Sequence, residues 1–206
     1  MTTTRTRAVL VALTATAALA LTACGGDDSA GSPHASHSAA AGATASASAS
    51  AGTHNAQDVS FAQTMIPHHQ QALEMASLAA DRASSAQVKD LAARIEKAQD
   101  PEINTMTGWL KAWGEEVPMA GMDHSGHSGM AGMMSDKDMT MLKQAKGKDF
   151  DTMFLTMMVQ HHQGAVAMAG TEKAKGEYAP ATSMAGSIVT GQNAEIKEMN
   201  KLLGKG

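Results

Sequence analysis

Apolar residues recur at helical spacing through two parts of the chain, residues 58–114 and 135–203. In the first part, apolar and small side chains return every three or four residues, which is typical of amphipathic helices. The pair Ser84 and Ser85 interrupts the pattern and can cap a following helix. The pattern predicts two helices joined by a short turn, with Asp58 as the N-cap of the first helix.

The second part shows the same pattern after a short segment of its own. Ser135 followed by Asp138 resembles a capping box for a short helix. A long helix is predicted over residues 149–174, with a break near Gly176. Pro180 suits the first turn of a final helix, because proline lacks an amide proton that this turn would leave unpaired.

The two parts are copies of one another. A shift of 93 residues, from His68 to His161, aligns two blocks of each part without a gap. The aligned pairs are Phe61 and Phe154, Met65 and Met158, His68 and His161, His69 and His162, Gln70 and Gln163, Ala72 and Ala165, Met75 and Met168, Ile95 and Ile188, Gln99 and Gln192, Glu102 and Glu195, Ile103 and Ile196, Met106 and Met199, and Leu110 and Leu203. This repeat predicts an all-α fold, a four-helix bundle in which two tandemly duplicated helical hairpins bury their apolar faces against each other.

Residues 1–24 have the features of a signal peptide. Arg5 and Arg7 precede an apolar stretch that is too short, and too rich in Ala and Thr, for a permanent membrane span. The stretch ends in Leu-Thr-Ala-Cys, which resembles the lipobox of bacterial lipoproteins, and Cys24 is the only cysteine. We therefore expect an exported lipoprotein, anchored through Cys24 to the outer face of the cell membrane or held in the periplasm. An ordinary secretory signal with an incidental cysteine is the alternative.

Residues 25–56 consist mainly of Ala, Ser, Gly and Thr. This composition cannot bury enough apolar surface to offset the loss of chain entropy, so it predicts a disordered linker ahead of a folded domain at 57–206. The chain carries a formal net charge of −4. Removal of the two arginines of the signal makes the chain more acidic, which argues against nucleic acid as a partner.

Methionine and histidine stand out in the composition, with 17 Met and 9 His among 206 residues. Imidazole binds several transition metals, whereas thioether sulfur selects soft Cu(I). Met beside His in both copies therefore indicates copper, as Cu(I), Cu(II) or both. The predicted metal ligands in the helices are Met65, His68, His69, Met75, Met157, Met158, His161, His162 and Met168. The competing interpretation is core packing by Met and ordinary hydrogen bonding by His.

The height of the histidine pairs in the bundle follows from the hairpin turns. Counted from a turn near Ala83, Gln99 and Glu102 fall at about the height of His68. If the four helices alternate up and down, the first and third run parallel and their histidine pairs face one interior. Four side chains then become candidates to orient the imidazoles by hydrogen bonding, namely Gln99, Glu102, Gln192 and Glu195.

A Gly-rich loop at 115–134 adds a second metal signal. Between residues 119 and 134, side chains that can bind metal are separated by Gly, Ala and Ser. These side chains are Met119, Met122, His124, His127, Met130, Met133 and Met134. A flexible string of this kind can wrap a metal without a preformed site, so the loop is predicted to capture metal. A plain disordered linker is the alternative.

The duplicated pattern HHQ-x-A-x-x-MA, followed by Q-x-x-EI-x-x-M, resembles the family of domain of unknown function 305 (DUF305, CopM-like) over residues 58–203. This resemblance implies a ferritin-like four-helix bundle and, as in some members, periplasmic copper binding and copper resistance. The implied ligands are Met65, His68, His69, Met75, Met158, His161, His162 and Met168. The Trp that often follows the second block is present as Trp109 but is Leu202 in the second copy.

These observations predict an exported lipoprotein that binds copper for sequestration, tolerance or trafficking. Its expected partners are copper ions, the membrane through the lipid, and a copper exporter or another exported copper protein. The sequence contains no nucleophile–base pair, phosphate loop or pair of catalytic carboxylates, so no enzymatic activity is expected. Two alternatives remain, a ferritin-like metal-dependent oxidoreductase and a surface adaptor bundle that binds no metal.

Overall fold

Four long helices and two short ones form the described part of the chain, residues 52–118 and 130–205 of a computed structural model. The helices are α1 (Ala56–Ser77), α2 (Ala79–Arg82), α3 (Ala86–Trp113), α4 (Asp136–Gln144), α5 (Gly147–Lys175) and α6 (Ala179–Leu202). These residues contain no strand, so the predicted all-α fold is confirmed, and the two hairpins are α1 with α3 and α5 with α6. None of these helices combines the length and apolar character needed to cross a membrane.

Several predictions fall outside the described residues. They concern the export signal, the lipid on Cys24 and most of the linker. They also concern four predicted ligands of the loop, which are Met119, Met122, His124 and His127. The ferritin-like subclass of the bundle stays a prediction.

Side chains that accept hydrogen bonds from the first turn set the helix starts. Asn55, not Asp58, is the N-cap of α1, because its side chain accepts from the amides of Gln57 and Asp58 at 2.8 and 3.1 Å. Asp58 lies one turn further in and completes a capping box by accepting from the Asn55 amide at 2.7 Å. The prediction for Asp58 was therefore wrong. Ser85 and Ser135 cap α3 and α4 as predicted.

The bundle interior holds two apolar clusters with a polar layer between them. The upper cluster contains residues of all four long helices, among them Met75, Leu91, Phe154 and Met199. The lower cluster is built in the same way, with Phe61, Leu110, Ala169 and Ile188. Burial of these apolar faces is the main force that holds the hairpins together. The repeat therefore gives one continuous bundle with polar side chains at mid-height.

Helices α1 and α5 run antiparallel. The start of α1 lies beside the end of α5, where the Asn55 side-chain amide donates to the Lys175 carbonyl at 2.9 Å. The turn ahead of α3 lies beside the start of α5, where the Ser84 amide donates to Asp151 at 3.1 Å. The expected alternation, with parallel first and third helices, is therefore wrong, and the order is up, down, down, up. A short loop would have forced alternation, but the connection at 114–146 is long enough to end at the opposite end of the bundle.

Two aspartates join the hairpins reciprocally. Asp58 of α1 accepts hydrogen bonds from the amides of Glu177 and Tyr178 ahead of α6, at 3.2 and 3.0 Å. Asp151 of α5 accepts in the same way from the amides of the two serines ahead of α3, at 3.1 and 3.0 Å. The aspartates are equivalent at the 93-residue shift, and so are the two pairs of amides. Each hairpin thus holds the chain that leads into a helix of the other.

Glu172 lies beside Asp58 at the lower end of the bundle, and both residues are fully buried. Burial, and then the neighbouring Asp58, raise the pKa of Glu172 to about 7. Burial would also raise the pKa of Asp58, but hydrogen bonds from backbone amides and from Glu172 outweigh it and lower that pKa. The equivalent of Glu172 in the first repeat is Ala79. A β-carbon on Gly176 would overlap the Glu172 carboxyl. The residue equivalent to Gly176 in the first repeat is Ala83, so the Glu172 carboxyl occupies the space of the methyl group that this position has in the first repeat.

Candidate metal centre

Four histidines, two from each repeat, form the polar layer between the apolar clusters. His68, His69, His161 and His162 are all fully buried. Successive residues of a helix point about 100° apart, so one histidine of each pair faces the other repeat and one faces its own hairpin. The rings of His68 and His161 meet across the repeats, with their centroids 3.7 Å apart and their planes tilted by 38°. The layer is therefore a histidine layer shared by both copies.

The other two histidines are held by glutamates of the second helix in the same hairpin. His69 Nε2 lies 2.8 Å from Glu102 Oε2, and His162 Nε2 lies 2.7 Å from Glu195 Oε2. In a neutral ring, the carboxylate fixes the proton on Nε2 and leaves a lone pair on Nδ1 for a metal. Glu102 and Glu195 thus stand where hydrogen bonding orients the imidazoles.

Gln99 and Gln192 lie one helical turn before these glutamates and are also buried. Their side-chain amides make no hydrogen bond to any described residue. The glutamines therefore differ from the glutamates, because neither glutamine side chain is hydrogen-bonded to an imidazole.

Five imidazole nitrogens of the histidine layer make no hydrogen bond within the described part of the chain. They are Nδ1 of all four histidines and Nε2 of His161. A buried polar atom without a partner costs about 1–3 kcal/mol. His161 is the extreme case, because both of its ring nitrogens are unpaired. A metal ion bound to the unprotonated nitrogens among them would remove that cost there, so the donors present fit a metal.

Both facing histidines are neutral at physiological pH. Burial and the nearby His69 lower the pKa of His68 to about 3, with a smaller contribution from His162 and an opposing hydrogen bond to Ala131. Burial and the neighbouring imidazoles lower the pKa of His161 well below its usual value. Neutral imidazole is the form that binds metal, so these rings need not release a proton first.

Met65 and Met158 lie one helical turn from the histidines and are fully buried. Met65 belongs to the lower cluster and Met158 to the upper cluster. Because α1 and α5 are antiparallel, the two side chains border the histidine layer from opposite sides. The layer is therefore flanked by one thioether on each apolar face.

The other predicted helix ligands are distributed through the two clusters. Met157 is buried, at 7% exposure, and belongs to the upper cluster. Met75 packs in the upper cluster, about 10 Å along α1 from His68 by helical rise. Met168 is partly buried against the lower cluster. The structure does not bring Met75 or Met168 into the histidine layer.

The described end of the Met/His-rich loop, residues 130–134, crosses the histidine layer. The Ala131 carbonyl lies 3.2 Å from His68 Nε2. Gln71 holds the same segment, since its side chain donates to the Met134 carbonyl at 2.9 Å and accepts from the Met134 amide at 2.7 Å. A β-carbon on Gly164 would overlap the Ala131 carbonyl, so glycine is required where the segment passes α5.

Three predicted loop ligands lie in this crossing segment. Met130, Met133 and Met134 are half-buried, and Met134 packs against the upper cluster. The sequence did not predict the contact at Gly164. The available signal was that Gly164 replaces Gln71 within the block of the repeat that carries the histidine pair.

Within residues 52–118 and 130–205, no group of three or more His, Cys, Asp or Glu side chains is arranged to hold one metal ion. The histidine layer offers imidazole nitrogens bordered by the thioethers of Met65 and Met158. This combination suits copper, because imidazole accepts both oxidation states and thioether favours Cu(I).

Comparison with known proteins gives matches over the whole bundle. The model of DUF305, a domain of unknown function, matches residues 58–203. A DUF305 protein from Streptomyces coelicolor, a candidate secreted protein, is 32% identical, with 72% of this chain and 93% of that chain covered at a TM-score of 0.66. CopM in its Cu(II)-bound form is 37% identical, with coverage of 70% and 94% and a TM-score of 0.62. CopM in its Cu(I)-bound form is 34% identical, with coverage of 70% and 94% and a TM-score of 0.57. No curated protein matches the chain.

Proposed function

The chain belongs to the DUF305 family, and from this premise we propose that it binds copper in the histidine layer. The observation that carries the proposal is the layer itself, in which four buried imidazoles have unpaired nitrogens and are enclosed by apolar side chains. CopM, a similar protein, has been solved with Cu(I) and with Cu(II) bound. Copper is the cargo of this site.

The copper ligands of the proposal come from both repeats. His68 and His161 offer unpaired Nδ1 atoms, and neither ring has to lose a proton to bind. The thioethers of Met65 and Met158 approach from the lower and upper clusters. Because thioether is a soft ligand in an apolar setting, this site favours Cu(I), whereas the imidazoles alone would also accept Cu(II).

The crossing segment links the histidine layer to the Met/His-rich loop. Ala131 contacts His68, and Met130 and Met133 lie within two residues of Ala131. A metal collected by the loop would therefore arrive beside the layer. We assign capture to the loop and holding to the bundle.

The proposal includes export and a lipid anchor on Cys24, on the evidence of the first 24 residues. Outside the cytoplasm, such a protein would sequester copper, confer tolerance, or pass the metal to an exporter or another exported copper protein. The proposed role is binding and not catalysis.

Metal analysis of the full chain, purified from cells supplied with copper and iron, tests this proposal. Copper in stoichiometric amount is the expected result. Iron together with oxygen or peroxide turnover would favour a metal-dependent oxidoreductase instead. If the chain contains no metal and takes up no added copper, the alternative of a surface adaptor bundle that binds no metal is favoured.

A further inference from the structure

A second group of methionines lies outside the histidine layer, between α4 and the first half of α5. They line a groove of about 730 Å³, with Met141 contributed by α4 and Met153 and Met157 by α5. Met153 and Met157 are four residues apart and therefore share one face of α5. Asp149, an exposed residue near the start of α5, also lines the groove.

Core packing accounts for Met157, which is buried in the upper cluster, but it does not account for Met141. Its side chain is 40% exposed. Among the described residues it is the only large hydrophobic side chain that is exposed. The positions equivalent to Met153 and Met157 in the first repeat are Ser60 and Thr64. The first repeat thus has hydroxyl side chains at both positions, so the thioethers belong to the second repeat alone, where α4 covers this face of α5.

Three thioethers in one groove have a defined chemical preference. Thioether sulfur is neutral and soft, and it selects soft monovalent ions such as Cu(I) over hard divalent ions. The Asp149 carboxylate adds a negative charge at the edge of the groove, which favours a cation. We propose that Met141, Met153 and Met157 form a second, surface site for a soft monovalent cation.

The surface site rests on the proposed copper-binding function and adds a place where the ion is held before or after the histidine layer. Met157 precedes His161 by one turn, so the two lie about 6 Å apart along α5. The surface site is therefore next to the layer, and the exposed side chain of Met141 opens it to solvent. A soft ligand set at the surface is suited to exchange with another soft-metal carrier.

Silver(I) is the probe for this site, because it is a soft monovalent ion and is diamagnetic. Silver nitrate is titrated into the full chain with methionine methyl groups labelled for NMR, and silver uptake is measured by calorimetry. The variant M141L/M153L removes two sulfurs and keeps the apolar volume, so it is expected to remain folded. M184L, at a partly buried methionine beside the lower cluster, is the matched control.

The methyl signals of Met141 and Met153 are expected to shift with silver, and M141L/M153L should bind one silver ion fewer than the wild type and M184L. Equal silver uptake by M141L/M153L and M184L, or unmoved methyl signals, would overturn the surface site. The variant H68Q/H161Q separates the two proposals. If this variant binds as much copper as the wild type while silver still shifts Met141 and Met153 in both proteins, the proposed function fails and the surface site stands.

Discussion

The imidazole of His68 faces that of His161 with ring centroids 3.7 Å apart, although the two residues belong to different copies of the repeat. Burial is the main cause that lowers the pKa of both rings, with a further contribution from His69 for His68 and from His68 for His161. The contact therefore joins two neutral imidazoles. Duplication of one hairpin has placed a single His-His motif opposite its own copy.

Glu102 and Glu195 are expected to set copper affinity by orienting His69 and His162. The double variant E102Q/E195Q preserves side-chain size but replaces each carboxylate by an amide, which holds the Nε2 proton less firmly. Copper affinity should fall about 10–100-fold. Competition against a copper chelator measures the change, with E115Q at an exposed position as control. Equal affinities of E102Q/E195Q and E115Q would show that the glutamates do not orient ligands.

Gly164 is expected to be essential for the crossing segment. In G164A the new methyl group would overlap the Ala131 carbonyl, which also contacts His68. We expect a loss of about 1–3 kcal/mol in the free energy of unfolding. G170A on the same helix is the matched control, because nothing described lies within 4 Å of its β-carbon. Alanine there should stabilise the helix by about 0.4–1 kcal/mol. Urea unfolding compares them, and equal stability of the two variants would rule out the close passage.

Glu172 gives the stability of the bundle a pH dependence of defined sign. Its pKa in the folded chain is about 7, above the ordinary value of 4.5, so folding favours the protonated carboxyl. The stability that comes from the raised pKa is fully present at pH values below the pKa of Glu172 in the unfolded chain. It is lost as the pH rises through the pKa of Glu172 in the folded chain. The variant E172Q removes the titration. From about pH 5 to about pH 8 its free energy of unfolding should rise relative to the wild type. Urea unfolding at several pH values measures the difference, with E115Q as control, and a constant difference would refute the assignment.

The helices and the duplication could be predicted because periodicity and a fixed shift are properties of the chain alone. The height of Glu102 beside His69 followed from counting back to the turn, since a hairpin fixes that height. The direction of α5 could not be predicted, because it depends on a connection long enough to end at either end of the bundle. As a result Met65 and Met158, which parallel helices would place at one height, lie on opposite sides of the histidine layer.

The contacts between the hairpins show a second limit of prediction from the sequence. Asp58 and Asp151 align at the shift of the repeat, so the sequence carried a signal for a shared role. The partners that the two aspartates have in common are backbone amides, which leave no mark in the sequence. Glu172 and Gly164 are departures from the repeat, and such departures mark the places where the two copies meet different surroundings. Only the folded chain shows what those surroundings are.

The most direct test of copper binding in the histidine layer is a copper titration of the full-length chain. It compares the wild type, H68Q/H161Q and the control H54Q, whose histidine stacks on Trp113 away from the layer. Circular dichroism first establishes that H68Q/H161Q is folded. The wild type and H54Q should bind copper with the same stoichiometry and affinity, and H68Q/H161Q should bind at least one ion fewer. Copper binding by folded H68Q/H161Q that equals binding by H54Q would contradict the account.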